Sequence, residues 1–305
     1  MIPTQEQVEP SNDTVARLTA FQPTTGWFVG VDSDGCVFDA MEIKHKECFI
    51  PATIKCWNLQ AASSLVRETA EFVNLYSDGR GLNRWLALIR LFELLRARPD
   101  VVHRNVQVPT GAALTQFVAS GAPLSAAGLR QHAALHPSPE LDKALVWTDE
   151  VDARIAEMVH DVPPFEGVRE GLAAASALAD LMVVSATPQD ALLREWTEHD
   201  LVGFMDLVAG QEAGTKGRHL ELAAKGKYAD DHILLVGDAP ADRDTAAAAG
   251  VLFYPINPGG EAACWHRFHD EALGRFLGGT YAGPYQDALV SEFNALLPSI
   301  PTWQH

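Results

Sequence analysis

Short apolar runs recur at long intervals along this chain: Trp27-Phe28-Val29-Gly30-Val31, Leu181–Val184, Leu207–Ala209, Ile233–Val236 and Val251–Tyr254. Each is apolar throughout, which is the pattern of a strand buried on both faces. Between the later runs, apolar residues return every three or four positions, as in Glu170–Ala179 and Arg218–Lys225, and predict helices. Wholly apolar strands alternating with helices predict a parallel sheet covered on both sides, a doubly wound α/β fold.

The first two runs are separated by about 150 residues, where a plain strand–helix–strand unit needs about 30. The intervening chain reads as helical over Gln60–Tyr76, Leu82–Ala97, Gly111–Ala119 and Thr148–Val159. Pro51, Ser77-Asp78-Gly79, Pro99, Gly121-Ala122-Pro123, Pro137 and Pro163-Pro164 punctuate it. The expectation is an all-helical cap domain over residues 44–160, inserted into an α/β core made of residues 1–43 and 161–305. Residues 1–25 are polar and aperiodic and predict an arm over the surface. The chain beyond residue 255 is a C-terminal extension of the core.

Composition narrows the range of partners. Of 305 residues 47% are hydrophobic and 21% charged, enough for a sizeable core and too apolar for a disordered chain. Lys and Arg total 23 against 40 Asp and Glu, a net charge of −17, which disfavours nucleic acids and anionic membranes as partners. The charge is uneven: residues 44–160 carry 13 basic against 12 acidic side chains and net +1, while the remainder nets −18. No run of about 18 apolar residues could span a bilayer, and the N-terminus has neither the basic start nor the apolar stretch of a secretion signal. A soluble cytoplasmic protein is expected, its four cysteines (Cys36, Cys48, Cys56, Cys264) reduced.

Ligands of an open parallel sheet bind at the carboxyl ends of its strands. The first run ends in Asp32 and Asp34, the second in Ser185, and the fourth in Gly237-Asp238 followed by Asp242; Lys216 lies just beyond the third. Carboxylates converging in one crevice raise each other's pKa unless a cation sits among them. A hard divalent ion with oxygen ligands, Mg²⁺, is the expected cofactor.

The same residues stand in the order of four known motifs. Asp32-Ser33-Asp34-Gly35-Cys36-Val37-Phe38-Asp39 matches D-x-D-G-x-x-x-D after an apolar strand, and Met182-Val183-Val184-Ser185-Ala186-Thr187 matches an apolar strand ending in Ser or Thr. Lys216 in Gly214-Thr215-Lys216-Gly217 matches an isolated lysine, and Gly237-Asp238-Ala239-Pro240-Ala241-Asp242 matches G-D-x-x-x-D before an Ala-rich helix. Pro164-Phe165-Glu166-Gly167-Val168 is similar to a P-x-x-G-V return from an inserted cap. On these motifs the sequence resembles the haloacid dehalogenase superfamily, aspartate-nucleophile phosphohydrolases, over about residues 25–45 and 160–255.

The resemblance implies a role for each matched residue. Asp32 would attack phosphorus and form an aspartyl-phosphate. Asp34 would protonate the leaving oxygen and then activate water. Mg²⁺ would be held by the Asp32 carboxylate, the Asp34 carbonyl and Asp238, with Asp242 behind them orienting Lys216 or a metal-bound water. Ser185, Ala186 and Lys216 would contact the phosphoryl group of a small phosphorylated metabolite. The dehalogenase branch lacks an acid two residues after its nucleophile, because halide leaves without a proton; Asp34 therefore favours phosphate-ester chemistry. A phosphomutase, a phosphonate hydrolase and a non-catalytic binding protein that keeps the fold are the alternatives. Cys36 stands where Thr or Val is more usual, and the chain beyond 255 matches no part of the family.

Other polar clusters read as structure. Cys264, His266 and His269 lack a fourth metal ligand at suitable spacing. His132 and His136, followed by Pro137, read as a helix end, and Thr187-Pro188 as a helix N-cap and first helical residue. Lys44, His45 and Lys46 have two readings: an exposed charged turn at the domain junction, or lysines that enter the cleft and bind substrate.

Overall fold

A computed structural model describes residues 10–304, so residues 1–9 of the expected arm and His305 lie outside the described residues. Five strands form one parallel sheet: β1 (Phe28–Val31), β2 (Asp180–Val184), β3 (Leu207–Ala209), β4 (Ile233–Gly237) and β5 (Leu252–Pro255), in the order β3-β2-β1-β4-β5. This is the doubly wound α/β core that the apolar runs predict. Every residue of β1, β2 and β4 is buried, as central strands covered on both faces require. Helices Gln189–Glu198, Lys216–Ala223 and Pro240–Ala249 make the three later crossovers.

Register decides what meets at the strand ends. Phe28 stands opposite Asp180 on one side and Ile233 on the other, and Val31 opposite Val183 and Val236. The strand order turns back at β1, with β2 and β3 to one side and β4 and β5 to the other. Chains leaving β1 and β4 thus diverge and open a crevice at their carboxyl ends. Gly30 sits in the middle of β1 where a Cβ would come within 3.0 Å of Val184 Cγ2, so the strand admits no side chain there without displacing β2's packing.

The chain before β1 departs from the expected aperiodic arm. Pro10–Ala20 is a helix, and Leu18 is fully buried. Val15, Leu18 and Phe21 do recur every third residue, a signal too sparse to stand out among polar neighbours. Lys227 Nζ donates to the carbonyls of Leu18, Thr19 and Phe21 at 3.0, 3.1 and 2.9 Å, a cation closing the helix's negative end. The segment that follows is tied to the foot of β2: Asp180 accepts from Thr24 N, Thr25 N, Thr25 Oγ1 and Tyr228 Oη at 3.0, 3.1, 3.3 and 2.6 Å, and also from Thr24 Oγ1.

Two compact units divide the chain. One runs to Asp39 and resumes over Asp161–Phe293; the other comprises Ala40–His160 and the chain from Asn294. The last residues thus group with the helical unit rather than with the core that the sequence assigns them to. Trp303 explains the difference: its ring meets Phe72 at 5.4 Å, the Arg98 guanidinium lies 4.2 Å from it, and Pro298 O accepts from Asp78 N.

The helical unit holds a core around Trp85, Phe92, Phe117 and Trp147. Trp147 Nε1 donates to Thr53 Oγ1 at 2.9 Å, which satisfies a buried indole. Its longest helix, Pro139–Met158, starts well before the expected Thr148, because Ser138 caps it and Pro139 opens it. Pro137 ends the preceding segment, and the new helix starts only two residues later. His136 closes the helix Ala126–Leu135, as expected.

The extension beyond 255 belongs to the α/β unit through Phe293. Its helix Glu261–Arg267 buries Trp265 completely, and the indole Nε1 donates to Cys36 O in the loop after β1 at 2.8 Å.

Candidate active site

Asp32 is the first residue past β1, and its backbone N donates to Val236 O of β4 at 3.0 Å. The chain then turns tightly: Ser33 O accepts from the backbone N of Cys36, Val37 and Phe38, and Gly35 takes a φ of 76° that a side chain resists. Ser33 is fully buried and fastens this loop sideways. Its Oγ accepts from Trp196 Nε1 at 2.9 Å and donates to Glu195 Oε2 at 3.2 Å, both on the helix Gln189–Glu198.

The crevice gathers charge. Lys216, the first residue of its helix, donates from Nζ to Asp32 Oδ2 at 2.5 Å and to Asp242 Oδ1. Asp242 lies in the first turn of Pro240–Ala249, where its Oδ2 also accepts from Ala239 N at 3.2 Å. Asp238 follows β4 and is buried. Ligand oxygens of Asp32, Asp238 and Asp242 all lie within 4.8 Å of one another. Among the described residues no other group of three His, Cys, Asp or Glu side chains converges in this way, and Cys264, His266 and His269 do not.

Electrostatics follow from that crowding. Burial pushes the Asp32 carboxyl up to about 7, with Asp242 and Asp238 adding to the rise and Lys216 opposing it. Burial pulls Lys216 down, but the carboxylates of Asp242 and Asp32 together outweigh it and hold the ammonium above its ordinary range. Lys216 is thus a fixed cation. With all four groups ionised, three carboxylates and one ammonium leave a formal charge of −2 in a buried space. That donor set, oxygen-only and short of two positive charges, fits a hard divalent cation.

Asp34 and Ser185 occupy the neighbouring wall. Ser185, immediately after β2, is buried, and Ser185 N donates to Ala209 O of β3 at 3.1 Å. Thr187 Oγ1 donates to Asp34 Oδ2 at 2.7 Å, and Thr187 N to Ser185 Oγ at 3.3 Å. Ala186 lies exposed between them. Thr187 does not take the N-cap role that its sequence suggests. Pro188 holds that position without a side-chain hydrogen bond, and Glu212 Oε2 accepts from Gln189 N at 3.0 Å instead.

The acidic residues and the lysine that end the apolar runs meet in this crevice, and the contacts that hold it are made by Thr187, Ser33 with Trp196 and Glu195, and Gly237. A Cβ on Gly237 would lie 2.5 Å from Asp242 Oδ2, so the bare backbone is what lets Asp242 approach. Lys44 and Lys46 lie in the helical unit, on a π-helical turn over Lys44–Phe49. Lys46 pairs with Glu42 and donates to Tyr76 Oη at 3.0 Å, and those partners hold its ammonium above the ordinary range.

No family model matches the chain, and no curated protein matches it. Several solved structures are similar. A haloacid dehalogenase-like family hydrolase from Streptococcus pneumoniae is 15% identical at a TM-score of 0.42, covering 80% of this chain and 91% of its own. A protein assigned as a phosphoglycolate phosphatase from Lactobacillus delbrueckii subsp. bulgaricus is 13% identical at a TM-score of 0.48, covering 85% and 100%. A defluorinating L-2-haloacid dehalogenase is 15% identical at a TM-score of 0.37, covering 79% and 86%. Among the described residues, no helix is long and apolar enough to cross a membrane.

Proposed function

We infer that this chain, a haloacid dehalogenase-superfamily hydrolase by its four strand-end motifs and its sheet order, is a Mg²⁺-dependent phosphohydrolase acting on a small phosphorylated metabolite. The observation that carries this reading is the contact of Lys216 with both Asp32 and Asp242 beside Asp238, with a second acid, Asp34, two residues after the first.

Each residue has work that its position suits. An oxygen of Asp32 forms a bond to phosphorus while the bond from phosphorus to the substrate's ester oxygen breaks, and that oxygen takes the proton carried by Asp34. Water then attacks the phosphorus of the aspartyl-phosphate and gives a proton to Asp34. The bond from Asp32 to phosphorus breaks, releasing inorganic phosphate and restoring both carboxyl groups. Lys216 and Ser185, with Ala186 between Ser185 and Thr187, hold phosphoryl oxygens as charge shifts among them. Asp32, Asp238 and the Asp34 carbonyl would hold Mg²⁺, which when bound supplies positive charge between an anionic nucleophile and an anionic substrate. Asp34 is what favours ester hydrolysis over dehalogenation, since an alkoxide leaves poorly without a proton.

The test is turnover of p-nitrophenyl phosphate with Mg²⁺ and with chelator. Wild type should turn over only with the metal, and Asp32→Asn should lose at least about 10³-fold, roughly 4 kcal/mol of barrier. Activity in Asp32→Asn above a tenth of wild type removes Asp32 as nucleophile. Absence of Mg²⁺ binding by calorimetry, with or without a phosphate analogue, removes the metal.

A further inference from the structure

We propose that Thr187 is a positioning residue for the acid–base step: its hydroxyl fixes the Asp34 carboxyl in the orientation that delivers a proton to the leaving oxygen. The proposal rests on the phosphohydrolase reading above and goes beyond the motif match, in which Thr187 closes the second stretch but is given no role in the chemistry.

Two observations point the same way. Thr187 Oγ1 meets Asp34 Oδ2 at 2.7 Å, a short hydrogen bond between residues 153 positions apart. The usual employment of a Thr before a Pro at a helix start is filled by other groups, since Glu212 accepts from Gln189 N. The hydroxyl is thus committed to the acid and not to the helix.

Thr187 is also held in place on its own account. Its backbone N donates to Ser185 Oγ, and its carbonyl accepts from Gln211 N at 3.0 Å. Gly210 runs so close beneath that a Cβ there would lie 2.8 Å from Thr187 O. Branching at Cβ restricts χ1 as well, so the hydroxyl comes from a fixed point with few rotamers.

A hydroxyl suits both halves of the reaction. It donates to a carboxylate and accepts from a carboxylic acid, so one contact orients Asp34 whether or not it carries the proton. Asp34 sits on a loop whose other anchor, Ser33, is tied to Trp196 and Glu195. Without Thr187 the loop remains, but this restraint on the carboxyl is gone.

The experiment compares two esters under saturating Mg²⁺. p-Nitrophenyl phosphate releases a phenolate stable without a proton, whereas glycerol phosphate releases an alkoxide that needs one. kcat/KM is the readout, because it reports steps up to departure of the leaving group and not the later hydrolysis common to both. Thr187→Val keeps the branched shape and removes the hydroxyl; Thr187→Ser restores it. Thr187→Val should lose at least about tenfold on glycerol phosphate and less than about threefold on the aryl ester, within the range expected of misaligned acid catalysis. Thr187→Ser should recover most of the loss. Equal losses on both esters, or no loss on glycerol phosphate, overturn the positioning role while leaving the phosphohydrolase reading intact. Wild type that hydrolyses neither ester with Mg²⁺ overturns both. Urea unfolding of each variant identifies a loss that comes from unfolding, and in that case the Thr187→Ser ratio between the two esters decides.

Discussion

Replacing Gly237 by Ala tests the crevice through geometry alone. The added Cβ would lie 2.5 Å from Asp242 Oδ2, 2.6 Å from Cγ and 2.7 Å from Cβ, where ordinary contact begins at 3.4 Å. Because Asp242 Cβ is itself among the obstacles, turning its side chain brings no relief, and the first turn of the helix Pro240–Ala249 must move away from β4. That movement pulls Asp242 from Lys216 Nζ and from Ala239 N. Overpacking costs about 1–3 kcal/mol, and a lost hydrogen bond to a charged group costs about 1.5–3 kcal/mol. A total of roughly 3–5 kcal/mol is expected by urea unfolding. Turnover should fall at least about tenfold, since Lys216 loses one of its two anchors. Asp242→Gly removes all three of these atoms, so in that background Gly237→Ala should cost less than about 1 kcal/mol, a strong coupling between the two positions. Gly30→Ala is the control: its nearest obstacle is a methyl, Val184 Cγ2, at 3.0 Å, and its cost should be smaller. A Gly237→Ala protein within about 1 kcal/mol of wild type, or equally destabilised with and without Asp242, would refute the packing argument.

Three further outcomes are expected. Burial acts to raise the Asp180 carboxyl, but hydrogen bonds from Thr24, Tyr228 and the backbone of Thr25 and Thr24 together outweigh it and hold it below the ordinary range. Its stabilising contribution is therefore present above the unfolded value and lost as pH falls through the folded one; Asp180→Asn should cost about 2–4 kcal/mol at neutral pH and flatten the acid limb of a pH–stability curve. His219, fully buried, is pushed down to about 4 from 6.5 by burial, with the Lys216 charge adding to it. Unfolded chains then bind the extra proton between those values, so stability should fall by on the order of 3 kcal/mol from pH 6.5 to 4, and His219→Leu should remove that slope. Replacing Lys44 and Lys46 separately by Met tests the reading that they bind substrate: affinity or turnover on the physiological substrate should fall in at least one variant while calorimetric Mg²⁺ binding survives, and kinetics within about twofold for both leave Lys46 to its pairing with Glu42 and Tyr76.

What was legible in the sequence is what a short window can encode. Each strand is a local apolar run, and Asp32, Ser185 and Asp238 each follow one directly, so fold class and the charged residues can be read without knowing which strands pair. Contacts between distant segments leave no such mark. Thr187 and Asp34 become partners only once β1 and β2 lie side by side, and Gly237 matters only because a helix turn folds back over it. The helix Pro10–Ala20 escaped because much of what orders it, Lys227 and Gln189, lies about two hundred residues away. Trp303 groups with the helical unit for the same reason: its partners Phe72 and Arg98 are far earlier in the chain.

Two of the seven tryptophans donate their indole N–H into the loop between Asp32 and Phe38, Trp196 to Ser33 Oγ and Trp265 to Cys36 O. Each comes from a different helix and grips a different residue of the turn. Every tryptophan contributes one indole resonance to a ¹⁵N-correlated NMR spectrum, so this loop carries two native reporters that need no label beyond uniform nitrogen. Their chemical shifts read the hydrogen bonds directly, because a hydrogen-bonded indole proton resonates downfield of a free one. Ligand titrations can therefore be followed at the turn itself, one signal for the end beside Asp32 and one for the stretch beyond Gly35, and the two can be compared for simultaneous or separate movement.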